Sequence, residues 1–468
     1  MPSAPQPSIR DRLADAGSAS RWLWGLDSCV RVETLVGESR LDVDAADLAG
    51  ASVLLATRDP LATAVALVEL DGIAGRLVIG TPDLGADHLP RVLERGMVDA
   101  IITDAAEHPK VIGVGRPVFG CSLDGPGRPR RRVPNETRTT EWVLLTSGTT
   151  GAPKLVVHTL ATLSGAIAPA QPPQPDLVWG TFYDIRRYGG MQILMRALLG
   201  GGSFVVSGAG EPAADYLSRL SEHRATHVSG TATHWRRALM CPAARAIHPR
   251  YVRLSGEIAD QAILNSLRAF YPDARVAHAF ASTEAGLAFE VNDGFEGFPA
   301  SLLDGDGPVE ARIADGSLRI RSRRAALGYL DGTCQPIGDS DGFVDTGDMI
   351  EQRGDRCLFL GRRTGVINVG GNKVYPEEVE AAINRHPAVR MTLVRPRRSP
   401  ITGALVAADI VLNDGTAEVG TSDAVAALRQ EILALCRATL AAYKIPASLR
   451  FVPALDVAAA GKLSRGSA

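Results

Sequence analysis

Between Ser52 and Thr103 short apolar runs alternate with amphipathic stretches: one run begins at Ser52, the next covers Arg76 to Gly80 and the third Ala100 to Thr103. Short apolar runs separated by helix-like segments predict parallel strands covered on both faces. A second set opens near Trp142. Val143 to Leu145, Leu155 to Leu163, Met191 to Leu199, Ser203 to Val206, Thr226 to Ser229 and Arg275 to Phe280 again alternate strand-like and helix-like texture. Together they predict a doubly wound α/β body, in one or two layers, reaching to about residue 280.

Beyond Glu284 the rhythm changes. Turn pairs such as Asp331-Gly332 and Asp341-Gly342 punctuate β-like runs, which predicts a β-rich subdomain over about 285–363. From Thr364 a compact pattern returns: Val366 to Val369, a helix opening at Pro376 with Glu377 and Glu378 behind it, Arg390 to Val394, Leu405 to Val411, and a helix through Ala424 to Ala441. Proline at the first turn followed by carboxylates suits a helix N-terminus. The expected organisation is a large N-terminal domain, 1–363, and a small α+β C-terminal domain, 364–468.

Charge narrows the partners. Among 468 residues, 50 Lys and Arg face 52 Asp and Glu, so a net charge of −2 offers no global field for nucleic acid. Arg128, Arg130, Arg131 and Arg132 form a basic run without interleaved aromatics, which reads as a solvated linker. The 6 cysteines include no C-x-x-C pair, which argues against a Cys-rich zinc site and for a reducing, cytoplasmic setting. No run approaches the ~20 apolar residues needed for a membrane span. His223 and His227 share an i, i+4 spacing, but the β-prone residues around His227 argue against a zinc pair.

Chemistry concentrates after the strand at Trp142. Thr146-Ser147-Gly148-Thr149-Thr150-Gly151-Ala152-Pro153-Lys154 places hydroxyls, glycines and a lysine where backbone N–H groups wrap phosphate oxygens. It is not a Walker A loop, because Ala152-Pro153 precede the lysine and no Gly-Lys-Ser/Thr opens a helix. Glu284 follows the apolar run Val276 to Phe280, at the strand end where open α/β sheets place ligands. On position alone Asp348 reads as a turn residue, and Lys462 as a solvated side chain near the chain's end.

The loop resembles the signature of the AMP-forming acyl-adenylate synthetases: acyl-CoA synthetases, non-ribosomal peptide adenylation domains and luciferases. Four further matches follow in that family's order. Phe280-Ala281-Ser282-Thr283-Glu284 is similar to its aromatic-Gly-x-Thr-Glu motif, and Asp345-Thr346-Gly347-Asp348 to its Thr-Gly-Asp motif. Gly361-Arg362 with Gly370-Gly371-Asn372-Lys373 is similar to its hinge region, and Gly461-Lys462-Leu463-Ser464-Arg465 to its catalytic-lysine loop.

The resemblance implies a carboxylic acid activated by ATP and Mg²⁺ to an acyl-adenylate, then transferred to coenzyme A. It implies Lys462, Glu284 and Thr283 as catalytic residues, with Glu284 at the metal. Nucleotide or coenzyme A binding falls to Thr146, Ser147, Gly148, Thr149, Thr150, Gly151, Lys154, Gly256, Glu257, Phe280, Ala281, Ser282, Asp348, Arg362, Gly370 and Gly371. Tyr188, Ser229 and Ser255 are implied to border the acid. The C-terminal domain is implied to be mobile, withdrawing Lys462 between the two steps. An acyl carrier protein or another nucleophile in place of coenzyme A stays open, as does a silent nucleotide-binding regulator. The chain departs from the pattern at Ala281, at Phe280 in place of the commoner tyrosine, at Thr364 in the hinge, and near Arg187 and Tyr188, where a histidine is usual.

Overall fold

The computed structural model describes residues 7–15, 20–105, 114–131, 138–146, 153–167, 174–303, 305, 307–331, 333–399, 403–413, 422–457 and 462–463. Among these, two eight-stranded sheets form the bulk of the molecule. The first runs Gly286–Val291, Arg275–Ser282, Tyr251–Ser255, His227–Gly230, Val178–Thr181, Ser203–Val205, Trp22–Trp24, Cys29–Arg31. The second runs Thr333–Gln335, Gly328–Asp331, Lys154–Thr159, Glu141–Thr146, Arg76–Ile79, Ser52–Leu55, Ala100–Thr103, Val118–Gly120. In the first, parallel strands fill the middle and antiparallel pairs close both edges; in the second, the strands run parallel from Glu141–Thr146 to the edge at Val118–Gly120 and antiparallel from Glu141–Thr146 to the edge at Thr333–Gln335. Covered parallel strands need apolar residues on both faces, and Ser52–Leu55 is buried throughout.

The helix Pro60–Leu70 is buried on every side and shares one core with Leu77 and Trp142 of the second sheet and Leu23 and Phe204 of the first. A helix apolar all round has to be enclosed, so it serves as filling between the two layers. Its start is fixed by Asp59, whose carboxylate accepts from Leu61 N–H at 2.8 Å, and by Pro60 behind it. The stretch Leu155 to Leu163 resolves into the strand Lys154–Thr159 and the helix Leu160–Ser164. Thr159 caps that helix through a reciprocal pair with Thr162.

Residues 285–363 do not all form a layer of their own. A five-stranded antiparallel sheet is built from Phe298–Pro299, Arg356–Arg362, Val344–Arg353, Ser317–Ser322 and Val309–Ala314. Gly286–Val291 instead pairs back on Arg275–Ser282 in the first sheet, because the turn at Thr283 to Ala285 reverses the chain at once. Gly328–Asp331 and Thr333–Gln335 extend the second sheet. A fourth sheet, Asn372–Val374, Ile367–Val369, Gly403–Leu412, Val389–Ser399, adds Ser448–Phe451 beside Gly403–Leu412 and carries the helices Pro376–Ile383 and Ser422–Thr439.

Candidate active site

A cavity of about 800 Å³ opens at the carboxyl ends of the parallel strands, the place where such sheets hold ligands. Its walls come from distant parts of the chain: Thr146 and Lys154, Tyr188, Ser255 to Glu257, Phe280 to Glu284, Asp348 with Arg362, and Lys462.

Thr146 and Lys154 face each other directly across the Glu141–Thr146 and Lys154–Thr159 strands. The intervening Ser147, Gly148, Thr149, Thr150 and Gly151 lie outside the described residues. The Lys154 ammonium stands 5.0 Å from the ring centre of Tyr329, whose hydroxyl donates to Glu284 Oε1 at 3.2 Å. One aromatic side chain therefore touches both the cation and the carboxylate. The turn carrying Glu284 is held from two sides: Ser282 Oγ accepts from Ala285 N–H at 2.9 Å, and Thr283 C=O accepts from His158 Nε2 at 2.7 Å. Since a carbonyl only accepts, Nε2 carries the proton, and Nδ1 accepts from the Thr162 hydroxyl at 2.8 Å. Burial pushes the His158 pKa down to about 4, only partly offset by the bond to Thr283, so the ring is neutral near pH 7.

On the opposite wall, Asp348 Oδ1 accepts from Arg362 Nε at 3.2 Å, and Arg362 Nη2 donates to Thr346 C=O at 2.9 Å. Burial raises the Asp348 carboxyl above its ordinary range against the pull of Arg362, Thr346 and Lys462. Residue 462 is exposed to solvent overall, and it contributes to the cavity's lining. Burial lowers the Lys462 pKa, Glu257 and Asp348 oppose that, and Arg362 and Arg187 add to it. Gly256 has φ +81, and a Cβ there would stand 3.7 Å from Lys462 Cε. The positive φ is what calls for glycine, since that Cβ would only reach ordinary contact with the lysine. Glu257 accepts from Thr233 N–H at 2.8 Å and from Leu463 N–H at 3.4 Å, which ties the lysine segment to the wall.

Phe280 stacks between Phe289 and Phe359, with centroids 5.6 and 5.3 Å away, and Ala281 follows at a break in the strand register. Tyr188 opens the helix Tyr188–Leu199 with its ring 5.4 Å from His158. The Ser255 carbonyl accepts from the Tyr183 hydroxyl at 2.5 Å.

Two expected groups are not brought to the cavity. Ser229 has no exposed surface and sits inside the strand His227–Gly230, where parallel neighbours on both sides enclose it. Gly370 and Gly371, φ +56 and +87, form the exposed two-residue turn between Ile367–Val369 and Asn372–Val374. Positive φ at both central residues is what a tight hairpin of this kind requires.

His158 and Tyr329 escaped the sequence reading. A histidine inside the apolar strand Leu155-Val156-Val157 was a usable signal, because a buried imidazole needs partners. Nothing in the sequence linked Tyr329 to residues 154 and 284. His223 and His227 are engaged in ring packing, on Trp24 at 4.2 Å and Trp179 at 4.7 Å. Among the described residues no cluster of three or more His, Cys, Asp or Glu gathers, and no helix is long and apolar enough to cross a membrane.

Comparison with known proteins gives two family matches: the AMP-binding enzyme over residues 45–330, and the AMP-binding enzyme C-terminal domain over residues 378–462. The chain is 31% identical over 264 residues to the 2-succinylbenzoate–CoA ligase of Salmonella typhimurium, covering 54% of each protein. It is 26% identical over 340 residues to that of Listeria innocua, covering 69% of this chain and 68% of the relative. The matched region thus spans about half to two thirds of those relatives' length. Among solved structures, the anthranilate CoA ligase AuaEII in complex with anthranoyl-AMP superposes with a TM-score of 0.78 at 19% identity, covering 99% of this chain and 96% of that one. The amide bond synthetase McbA from Marinactinospora thermotolerans superposes with a TM-score of 0.77 at 19% identity, covering 98% and 97%.

Proposed function

The chain belongs to the AMP-binding enzyme family, and from that premise we propose that it joins a carboxylic acid to the thiol of coenzyme A through an acyl-adenylate. The observation that carries this reading is the convergence of Lys154, Glu284, Asp348, Arg362 and Lys462 on one cavity. Attack of a carboxylate on the α-phosphate of ATP brings two anions together. Their repulsion is only ~1 kcal/mol at 4 Å in water but several times that in a low-dielectric cavity. Cations and N–H donors placed where charge develops offset it.

In this reading the segment from Thr146 to Lys154 takes the β- and γ-phosphates, and the Asp348 carboxylate accepts from the ribose hydroxyls. Phe280 and Ala281 flank the base. Glu284, a single carboxylate beside phosphate oxygens, suits Mg²⁺, which keeps water ligands and takes one or two carboxylates. When bound, the ion would neutralise charge on the leaving pyrophosphate. Lys462 donates to the attacking carboxylate and the α-phosphate as pyrophosphate departs. Burial holds its pKa down, and an arriving phosphate adds an opposite charge that favours the ammonium.

In the second step the coenzyme A thiolate attacks the acyl carbonyl and AMP leaves. We assign Gly370 and Gly371 to that step, on a hairpin whose bare backbone permits close approach of a pantetheine arm. We also assign the nucleotide-holding part to residues 1–363 and the lysine-bearing part to 364–468, a division supported by the separate match over 378–462.

The test is acid-dependent pyrophosphate exchange over aryl, short-chain and polar acids, followed by thioester formation with coenzyme A and, in parallel, with holo-carrier proteins and amines. Exchange with at least one acid and capture by coenzyme A is expected. Exchange with capture only by a carrier or an amine would replace coenzyme A as the acceptor, and no exchange with any acid would leave a nucleotide binder.

A further inference from the structure

Arg187 stands immediately before the helix Tyr188–Leu199 and lines the cavity. One Nη2–H donates to Asp83 Oδ1 at 2.6 Å. Asp83 lies on the loop after the strand Arg76–Ile79, so the pair bridges the first sheet to the second at their carboxyl ends. Arg76–Ile79 is the direct neighbour of the strand that ends in Thr146. The pair is thus fixed on the flank of the cavity from which the Thr146 to Lys154 segment emerges.

Asp83 is held ionised. Burial alone would raise its carboxyl, but the Thr81 hydroxyl and the Arg187 charge carry it below the usual range. A neutralised pair has a further use here. It lets a second cation stand near Lys462 without the full cost of like charges, since Arg187 already adds to the lowering of the lysine.

The guanidinium is not saturated. Its Nε–H is shielded from solvent and meets no acceptor among the described residues. Thr146 Oγ1, on the same cavity, is likewise shielded and has no partner among the described residues. Native structures leave few such groups, because each forfeits its hydration without return. The Asp83 contact takes Nη2 and orients the guanidinium plane, which leaves the Nε–H for an oxygen of a carboxylate or a phosphate, a donor fixed in direction as an ammonium is not.

We propose that Arg187, braced by Asp83, is an oxyanion-binding residue of the adenylation step, taking an oxygen of either the nucleotide phosphate or the acid's carboxylate. This rests on the function proposed above, and it adds a cation at a position where the resemblance led to a histidine.

The experiment compares wild type with Arg187→Ala, Arg187→Lys and Asp83→Asn. It measures pyrophosphate exchange with ATP and acid varied separately, ATP affinity without acid, and thermal melting. By analogy with removing one transition-state donor, Arg187→Ala is expected to lose about 10²–10³-fold in kcat/KM. Arg187→Lys should recover little, and Asp83→Asn should lose less than Arg187→Ala. Weakened ATP affinity assigns the phosphate, while unchanged ATP affinity with a raised KM for the acid assigns the carboxylate.

The proposal is overturned if Arg187→Ala exchanges within about twofold of wild type, a change no larger than a surface substitution produces. It is equally overturned if Asp83→Asn matches Arg187→Ala in melting and exchange while Arg187→Lys behaves as wild type, which marks a structural brace. Should the wild type exchange with no acid at all, the proposed function fails by itself. ATP affinity across the variants then decides on Arg187, and no change there sinks it.

Discussion

Acid should unfold this protein partly through one ring, His158. The side chain has no exposed surface, and its pKa in the fold stands at about 4 against an ordinary 6.5. Between those values the unfolded chain binds a proton that the folded chain refuses, so stability is complete above about pH 6.5 and falls as pH drops toward 4. At pH 5 the loss from this ring amounts to about 2 kcal/mol, and it levels off near 3 kcal/mol below pH 4. His227 and His234 are also pushed down to about 4 by burial, so the total loss is larger.

A variant isolates the His158 share. His158→Gln keeps an N–H in reach of the Thr283 carbonyl but does not titrate. Urea unfolding of both proteins at pH 7.5 and pH 5.0 yields two differences, and the wild-type difference should exceed that of the variant by about 2 kcal/mol. Equal acid losses in the two proteins, or a ring titration near 6.5 for His158 by NMR, would refute the reasoning.

Lys462→Ala should slow adenylation by about 10²–10³, the usual cost of one transition-state donor. Thioester formation from supplied acyl-adenylate should hardly change, and equal losses in both half-reactions would contradict the assignment. The lowered Lys462 pKa also places the alkaline limb of kcat/KM for exchange, which follows the free enzyme, below the ordinary lysine value of 10.5, a limb that the alanine variant should lack. Tyr329→Phe removes the donor to Glu284 and keeps the ring under Lys154. The Mg²⁺ concentration for half-maximal exchange should rise about tenfold, the worth of one hydrogen bond to a charged group, and an unmoved Mg²⁺ curve speaks against the bridge. Gly190→Ala should lower the melting temperature by the equivalent of ~1–3 kcal/mol. Its Cβ would fall 2.3 Å from the Asp184 carbonyl oxygen and force the helix Tyr188–Leu199 off the loop carrying Arg187. A rise in melting temperature, as for an open helical glycine, would show that the loop yields freely.

Local pattern revealed most of the strands because their burial is recorded in the residues themselves. Ser52–Leu55, Arg76–Ile79 and Ala100–Thr103 are apolar runs that could face little else. Partnership between distant strands left no such mark. Gly286–Val291 and Gly328–Asp331 share turn-rich texture with their neighbours but leave for the larger sheets, a choice made by pairing geometry. The same divide runs through the site. Motifs brought Lys154, Glu284, Asp348 and Lys462 into view, whereas Tyr329 and His158 matter only through contacts across long sequence separations. Ser229, a small polar residue near a strand end, gives no sign in sequence of how deeply it lies, and in the fold it has no exposed surface.

The pairing of Thr146 with Lys154 settles who controls the ammonium's aim. Side chains alternate along a strand, so Lys154 emerges on the face shared with Val156, and Val156 is paired with Tyr329. A one-step slip of the ladder would send the charge to the far side, whereas lengthening the segment between the two residues leaves the ladder's phase untouched. Evolution, or an engineer, is thereby free to vary that segment's reach without re-aiming the lysine at its base.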